Sequence, residues 1–166
     1  MIRRVCADQR GAALPLTLLS LPLLILLLAL AADAGALFAA RGLAHASADL
    51  AALAGVQELD LERLAAGERF IMPGAAAAWA RQVALANLEG NIPRLPGAGA
   101  APRVEVLVVN ASPASPRQHP WTGRPLYDPT VAVRVAVPVP LAFSGPGRSL
   151  WVTARADASV LPRRRK

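Results

Sequence analysis

Residues 11–32 read GAALPLTLLSLPLLILLLALAA, 22 positions without a charged side chain. Wound as a helix they extend about 33 Å, enough to cross a hydrocarbon core of about 30 Å. Arg3, Arg4 and Arg10 precede the run against a single Asp8. The excess of positive charge predicts a cytoplasmic N-terminus, with everything after Asp33 sent outside. A signal peptide has an apolar region of about 7–15 residues, shorter than this one, so the segment reads as a retained transmembrane anchor. The competing reading is cleavage. Ala29-Leu30-Ala31 has the form of a signal-peptidase site, and a cut before Ala32 would release a soluble envelope protein with a small β-sheet binding domain. Cys6 lies ahead of the apolar run and is not a lipoprotein cysteine, and Arg3-Arg4 reads as positive-inside charge rather than as a twin-arginine signal.

Helical spacing continues past the span through Leu37, Leu43, Ala46, Leu50 and Leu53, then Leu61 and Leu64. Ala, Leu, Arg and Gln dominate, and no proline intervenes between Pro22 and Pro73. The pattern predicts one long helix from about Leu14 to about Leu59, with an extension to Ala66 beyond a break near Asp60. Its first half is apolar all round. Its second half has an alanine-rich stripe, read as lying opposite Arg41, His45 and Asp49. Leu43, Ala48, Ala52 and Gly55 are its helix-packing positions, where small residues let a neighbour approach closely. That neighbour is a helix of another protein, the chain's own sheet, or both. A second helix is expected over Ala75 to Glu89, with Trp79, Val83, Leu85 and Ala86 on its apolar side and Gly90-Asn91 as the stop. Ile92 to Pro102 is a Pro/Gly/Ala linker.

The apolar period then changes to two. Strands are predicted at Arg103–Val109, Val131–Val139 and Trp151–Val160, each with one apolar face and an opposite face carrying Glu105, Arg134, Arg155 or Asp157. Pro138 and Pro140 lack ladder donors, so that end of the second strand is expected to be unpaired or at an edge. The segment Asn110 to Thr130 holds Pro113, Pro116, Pro120, Pro125 and Pro129. It is long for a connection, and its Trp121 and Tyr127 are read as covering the core beneath it, with a contact surface as the alternative. The fold class is therefore α+β: a long N-terminal transmembrane helix followed by a small pilin-like domain with a second helix and a three-stranded antiparallel sheet. The chain divides into a basic cytoplasmic leader (1–10), the span (11–32), an extension of the N-terminal helix (33–66), an extracytoplasmic helix-and-sheet domain (67–162) and a basic tail (163–166).

Composition narrows the function. Hydrophobic residues make up 54% of the 166, but aromatics only 4%, so a large aromatic-lined catalytic core is not expected. The formal net charge is +7, of which Arg163-Arg164-Arg165-Lys166 supply four. A basic tail on a near-neutral body is not the basic stripe of a nucleic-acid binder. One cysteine allows no disulfide framework and no cysteine-based zinc site. His45 and Asp49 share a helix face while Ser47 points away from both, so no nucleophilic triad forms locally. A metal would need a third ligand, and the other histidine, His119, lies in the proline-rich segment. Gly97-Ala98-Gly99 follows no strand and opens no helix, which excludes a phosphate loop. Asn110-Ala111-Ser112 matches a glycosylation acceptor only weakly, because Pro113 follows. No cofactor, metal or small-molecule substrate is expected, and the chain does not read as an enzyme.

Arg10-Gly11-Ala12-Ala13, the leucine run with Leu21-Pro22, Asp33-Ala34-Gly35 and the string from Arg41 through Ala48-Asp49-Leu50-Ala51-Ala52-Leu53-Ala54-Gly55 resemble the TadE/TadG-like proteins of the tight-adherence (Flp) pilus assembly system. The resemblance covers residues 10 to about 58. It implies a non-enzymatic, pseudopilin-like protein of the bacterial inner membrane, single-pass, whose partners are other pilus or secretion components and membrane lipid. Some such relatives are matured by a prepilin peptidase that cuts after a glycine, aided by a glutamate five residues on. Gly11 and Ala12 stand at such a cut, but Leu16 takes the place of the glutamate, so the resemblance implies an uncleaved anchor. His45 stands where a glutamine is commoner. The larger relatives carry a von Willebrand-type domain with a metal-dependent adhesion site; this chain has no Asp-x-Ser-x-Ser motif, so no metal is carried over.

Overall fold

The computed structural model describes residues 13–89, 100–141 and 149–161, with the backbone alone for 13–16. Gly11 and Ala12, the basic leader, most of the Pro/Gly linker and the basic tail lie outside the described residues. Helix α1 runs from Ala13 to Val56 as one 44-residue element with Pro22 inside it. Pro22 has no N–H to donate to the Leu18 carbonyl one turn back. Near it the Ser20 hydroxyl donates to the Thr17 carbonyl at 3.1 Å, so that polar group is satisfied within the helix.

The helix stops at Val56, short of Leu59 and of the extension to Ala66. Beyond it the chain closes a loop. Leu59 bridges Ile71 in antiparallel fashion, the Asp60 N–H donates to the Phe70 carbonyl, and the Met72 N–H donates to the Glu58 carbonyl, each at 2.9 Å. Helix α2 (Leu61–Ala65) lies inside this loop. Its N-cap is Asp60, whose carboxylate accepts from the Glu62 and Arg63 N–H groups at 3.1 Å. The break near Asp60 is thus a capped restart of the chain in a new direction.

Helix α3 (Pro73–Glu89) opens on a proline at its first position, where the missing N–H has no helical partner to lose. It packs along α1. Strands β1 (Arg103–Val109), β4 (Thr130–Pro140) and β5 (Ser149–Ser159) form an antiparallel sheet in the order β1-β4-β5. The small hairpin of β2 (Arg117–Gln118) and β3 (Pro125–Leu126) is inserted between the first two. The architecture is α+β.

Register separates the faces. Val104↔Val135↔Ala154, Val106↔Val133↔Ala156 and Val108↔Val131↔Ala158 stack toward the helices. Glu105↔Arg134↔Arg155 and Leu107↔Ala132↔Asp157 stack on the other side. Each buried valine of β4 is worth roughly 1.5–3 kcal/mol of apolar burial. β1 ends at the partner of Ala136, whereas β5 continues alongside to Pro140. Pro138 and Pro140 therefore sit where β4 has a partner on one side only, the edge position that prolines require. The core joins Ala44, Ala48, Ala51 and Ala52 of α1, Ala76, Ala80, Ala84 and Leu88 of α3, Ile71, and the inner faces of all three strands.

Candidate functional site

The stripe expected for helix packing is enclosed by the chain's own domain. Ala48 and Ala52 are fully buried and Leu43 is half-buried against the core. Gly55 marks a close approach. A Cβ built there would lie 3.0 Å from Val131 Cγ1, 3.2 Å from the Ala76 carbonyl oxygen and 3.2 Å from Ala80 Cβ. The face is wider than the stripe suggested, since Ala44, Ser47 and Ala51 are buried with it. The Ser47 hydroxyl donates to the Ala84 carbonyl of α3 at 3.0 Å, so this side chain ties the two helices together. The signal for it was available: Ser47 falls one turn before Ala51 and between Ala44 and Ala48 on the alanine face.

The apolar side of α3 differs from the expected one. Ala76, Ala80, Ala84 and Leu88 are buried, while Trp79 is 43% exposed and Ala86 lies outside. Close packing against an alanine face admits small side chains, and an indole does not fit into that gap. Hence the i, i+4, i+8 alanines face α1.

The other side of α1 is apolar and uncovered. Arg41 and Asp49 are exposed and His45 is half-buried. Between Asp49 and the far flank, Leu50 and Leu53 are 50% and 54% exposed, and Gly42 and Ala46 are exposed between them; Phe38, on the other side of Asp49, is 75% exposed. At 100° per residue, Gly42, Ala46, Leu50 and Leu53 project within about 80° of arc, diametrically opposite Ala44, Ala48 and Gly55. This face prolongs the exposed leucines of the apolar segment, from Leu18 to Leu30.

The proline-rich segment folds onto the outer face of the sheet. Arg124 pairs with Asp157, and the Arg134 guanidinium lies 4.6 Å from the Trp121 ring centroid while pairing with Glu105 at 3.1 Å. Trp121 is thus a cover for the sheet, and Tyr127 is exposed. His119 is buried, and its Nδ1 accepts from the Trp121 and Thr122 N–H groups at 3.2 and 3.3 Å. Gly123, at φ 70°, supplies the left-handed residue of the turn. His119 is therefore a turn-holding residue, not brought to His45 and Asp49. No group of three His, Cys, Asp or Glu side chains that could hold a metal occurs among the described residues. Asn110, weighed as a glycosylation acceptor, uses its amide inside the fold: it accepts from the Ile71 N–H at 2.8 Å and donates to the Ile71 carbonyl at 2.9 Å. Arg69 similarly donates to Asp128 and to the Val160 carbonyl, both at 2.7 Å, closing the far end of the sheet.

Residues 11–58 match the family model described as putative Flp pilus-assembly TadE/G-like. The match covers less than a third of the 166 residues and coincides with α1 and the turn that ends it. No curated protein and no solved structure matches the chain. The matched segment includes both faces of α1 and a helix that is long and apolar enough to cross a membrane.

Proposed function

We propose that the chain is a membrane-anchored, pseudopilin-like component of a Tad (Flp) type pilus assembly or related secretion apparatus, acting by helix packing and protein–protein contact rather than by catalysis. The observation that carries this reading is the coincidence of the matched segment, 11–58, with a helix whose outward apolar face runs on from the membrane-length stretch into the folded domain. In this reading the span lies in the bacterial inner membrane with the N-terminus cytoplasmic and the sheet domain extracytoplasmic. Leu43, Ala48, Ala52 and Gly55 hold α1 against α3 and the sheet, so that Ala46, Leu50 and Leu53 are presented rigidly to other components. A contiguous apolar face on the surface of a small domain marks an interaction site.

Leu50→Glu and Leu53→Glu test it, because both side chains are exposed and neither variant disturbs the core. Wild-type protein level with loss of surface pili is the expected result. Unchanged piliation in both variants sinks the contact role. The anchor has its own test. N-terminal sequencing of the membrane-bound protein is expected to start at Met1 or Ile2. A start at Ala12 would make the chain a processed pilin cut at Gly11, and a soluble form starting at Ala32 would make it a secreted protein.

A further inference from the structure

We propose that the membrane-ward end of the sheet is a second lipid contact, in which Phe38, Leu150 and Trp151 seat in the outer interface of the bilayer while Arg41 and Arg103 take lipid phosphates. This rests on the reading of α1 as a membrane span. The sheet lies lengthwise along α1. At its far end Val131 meets Gly55, and at its near end Val152 and Thr153 share a groove with Ala34, Leu37, Phe38 and Arg41. Strand β5 therefore approaches the bilayer at its N-terminal end, and Leu150 and Trp151 stand one to three residues nearer the span than that groove, about 3–10 Å. That brings them level with the first turn after Asp33. Phe38 is five residues beyond Asp33, about 8 Å along the axis, and the polar layer on each side of a bilayer is about 5–8 Å deep.

At this level the surface is apolar and cationic. Leu150 is 51% exposed and Trp151 39%, on opposite faces of the first rungs of β5, and Phe38, exposed on α1, lines the groove with Val152 and Thr153. The Arg103 guanidinium lies 4.5 Å from the Trp151 ring centroid. Neither Arg103 nor Arg41 enters a salt bridge among the described residues. Glu105 is two residues farther from the span along β1 and is paired with Arg134; the carboxylate that α1 itself places near this level is Asp33. Indole rings concentrate at membrane interfaces, Phe and Leu immerse beside cations that stay at the headgroups, and arginines near an anionic leaflet are attracted to it. Continuity with the span fixes the occupant as lipid, because a continuous α1 holds these groups within the headgroup layer. The domain then stands with the near end of its sheet seated on the membrane instead of held clear of it, and its outward helix face is held at a fixed orientation.

The test uses the full chain in phosphatidylcholine–phosphatidylglycerol vesicles, with or without acyl chains brominated near the headgroup. Two single-tryptophan variants are compared: W79F/W121F, which leaves Trp151, and W121F/W151F, which leaves Trp79. Trp79 adjoins Ala80, which packs on Gly55, about 33 Å along α1 from Asp33. Brominated lipid is expected to quench Trp151 at least twofold and to leave Trp79 unchanged. In R41Q/R103Q the quenching of Trp151 is expected to weaken about twofold. Trp151 unquenched in a chain that resists carbonate extraction overturns the lipid contact and leaves the anchor standing. So does shielding of Trp151 from iodide that grows with protein concentration, the signature of contact between copies. A chain removed by carbonate overturns the anchor and this inference together. If the loss of Trp121 unfolds the domain, Leu150→Cys in a Cys6→Ser background, labelled with an environment-sensitive dye, gives the same reading. Apolar emission on vesicles supports the contact, and aqueous emission overturns it.

Discussion

Ala44, Ser47, Ala48, Ala51, Ala52 and Gly55 face α3 and the sheet, while Gly42, Ala46, Leu50 and Leu53, on the same turns of the same helix, face away from both. The inner face has the smaller residues and the outer face the larger apolar ones. That inverts the usual distribution, in which leucines go inside. The inversion has a physical origin. A helix and a sheet that approach until a Cβ at Gly55 would be 3.0 Å from Val131 Cγ1 leave room only for alanine, serine and glycine between them. The outer leucines meet no such neighbour among the described residues. Two apolar faces of one helix thus differ: one is packed inside the molecule and the other is exposed on it.

If the comparison is right, the largest effect follows from enlarging the inner face. Gly55→Val places two further methyl groups where the Ala76 carbonyl, a backbone atom, already stands 3.2 Å from a Cβ. Overpacking of this kind costs about 3 kcal/mol. For the full chain in detergent micelles the thermal midpoint should fall by roughly 10 °C or more, followed by the sheet signal in circular dichroism. A midpoint within a degree or two of wild type would mean that α1 and the sheet are not in close contact at Gly55.

The same contrast separates what could be read in the sequence from what could not. The strands were legible almost to the residue: a strict period of two in Arg103–Val109 and around Val131–Val139 admits one register that keeps the valines inside. The helix ended near Asp60 as its pattern suggested, three residues early, because the Leu59–Ile71 bridge and the Asp60 cap compete with continued winding. The buried face of α3 was misread. Size ordinarily marks the core, and Trp79 outweighs Ala80 by that measure, but the depth of the α1–α3 gap is a tertiary property that no local spacing reports. The proline-rich segment was illegible for a related reason. Its order comes from contacts distant in the chain, Arg124 with Asp157 and Trp121 with Arg134, and Ser47, considered only for catalysis, is held by Ala84 thirty-seven residues away. Of the candidate site, the packing stripe was visible as composition, but which face turns outward depends on where the domain folds back.

A middle-sized effect probes the polar tie across the inner face. Ser47→Ala removes the hydrogen bond to the Ala84 carbonyl and leaves a shape of nearly the same volume. A typical net hydrogen bond contributes about 1 kcal/mol, and alanine recovers roughly half of that through helix propensity. The expected loss is therefore about 0.5–1 kcal/mol, well below that of Gly55→Val, measured by denaturant unfolding of the same preparation. A loss equal to that of Gly55→Val would mean that Ser47, and not close packing, holds α1 and α3 together.

The smallest effect on the fold sharpens the comparison most. Leu53 is 54% exposed, so Leu53→Gln removes an apolar side chain that the folded domain does not use. Surface changes away from a packed or capped position usually stay within about 0.5 kcal/mol, and glutamine and leucine are similarly good helix formers. The unfolding midpoint of the isolated chain in micelles should therefore not move. In cells, where other components are present, the same substitution should lower the yield of cross-linked complexes through α1, because the proposed contact of the outward face exists only there. A destabilised isolated chain would show that Leu53 belongs to the core after all. An unmoved midpoint with an undiminished cross-linking yield would show that the outward face meets nothing.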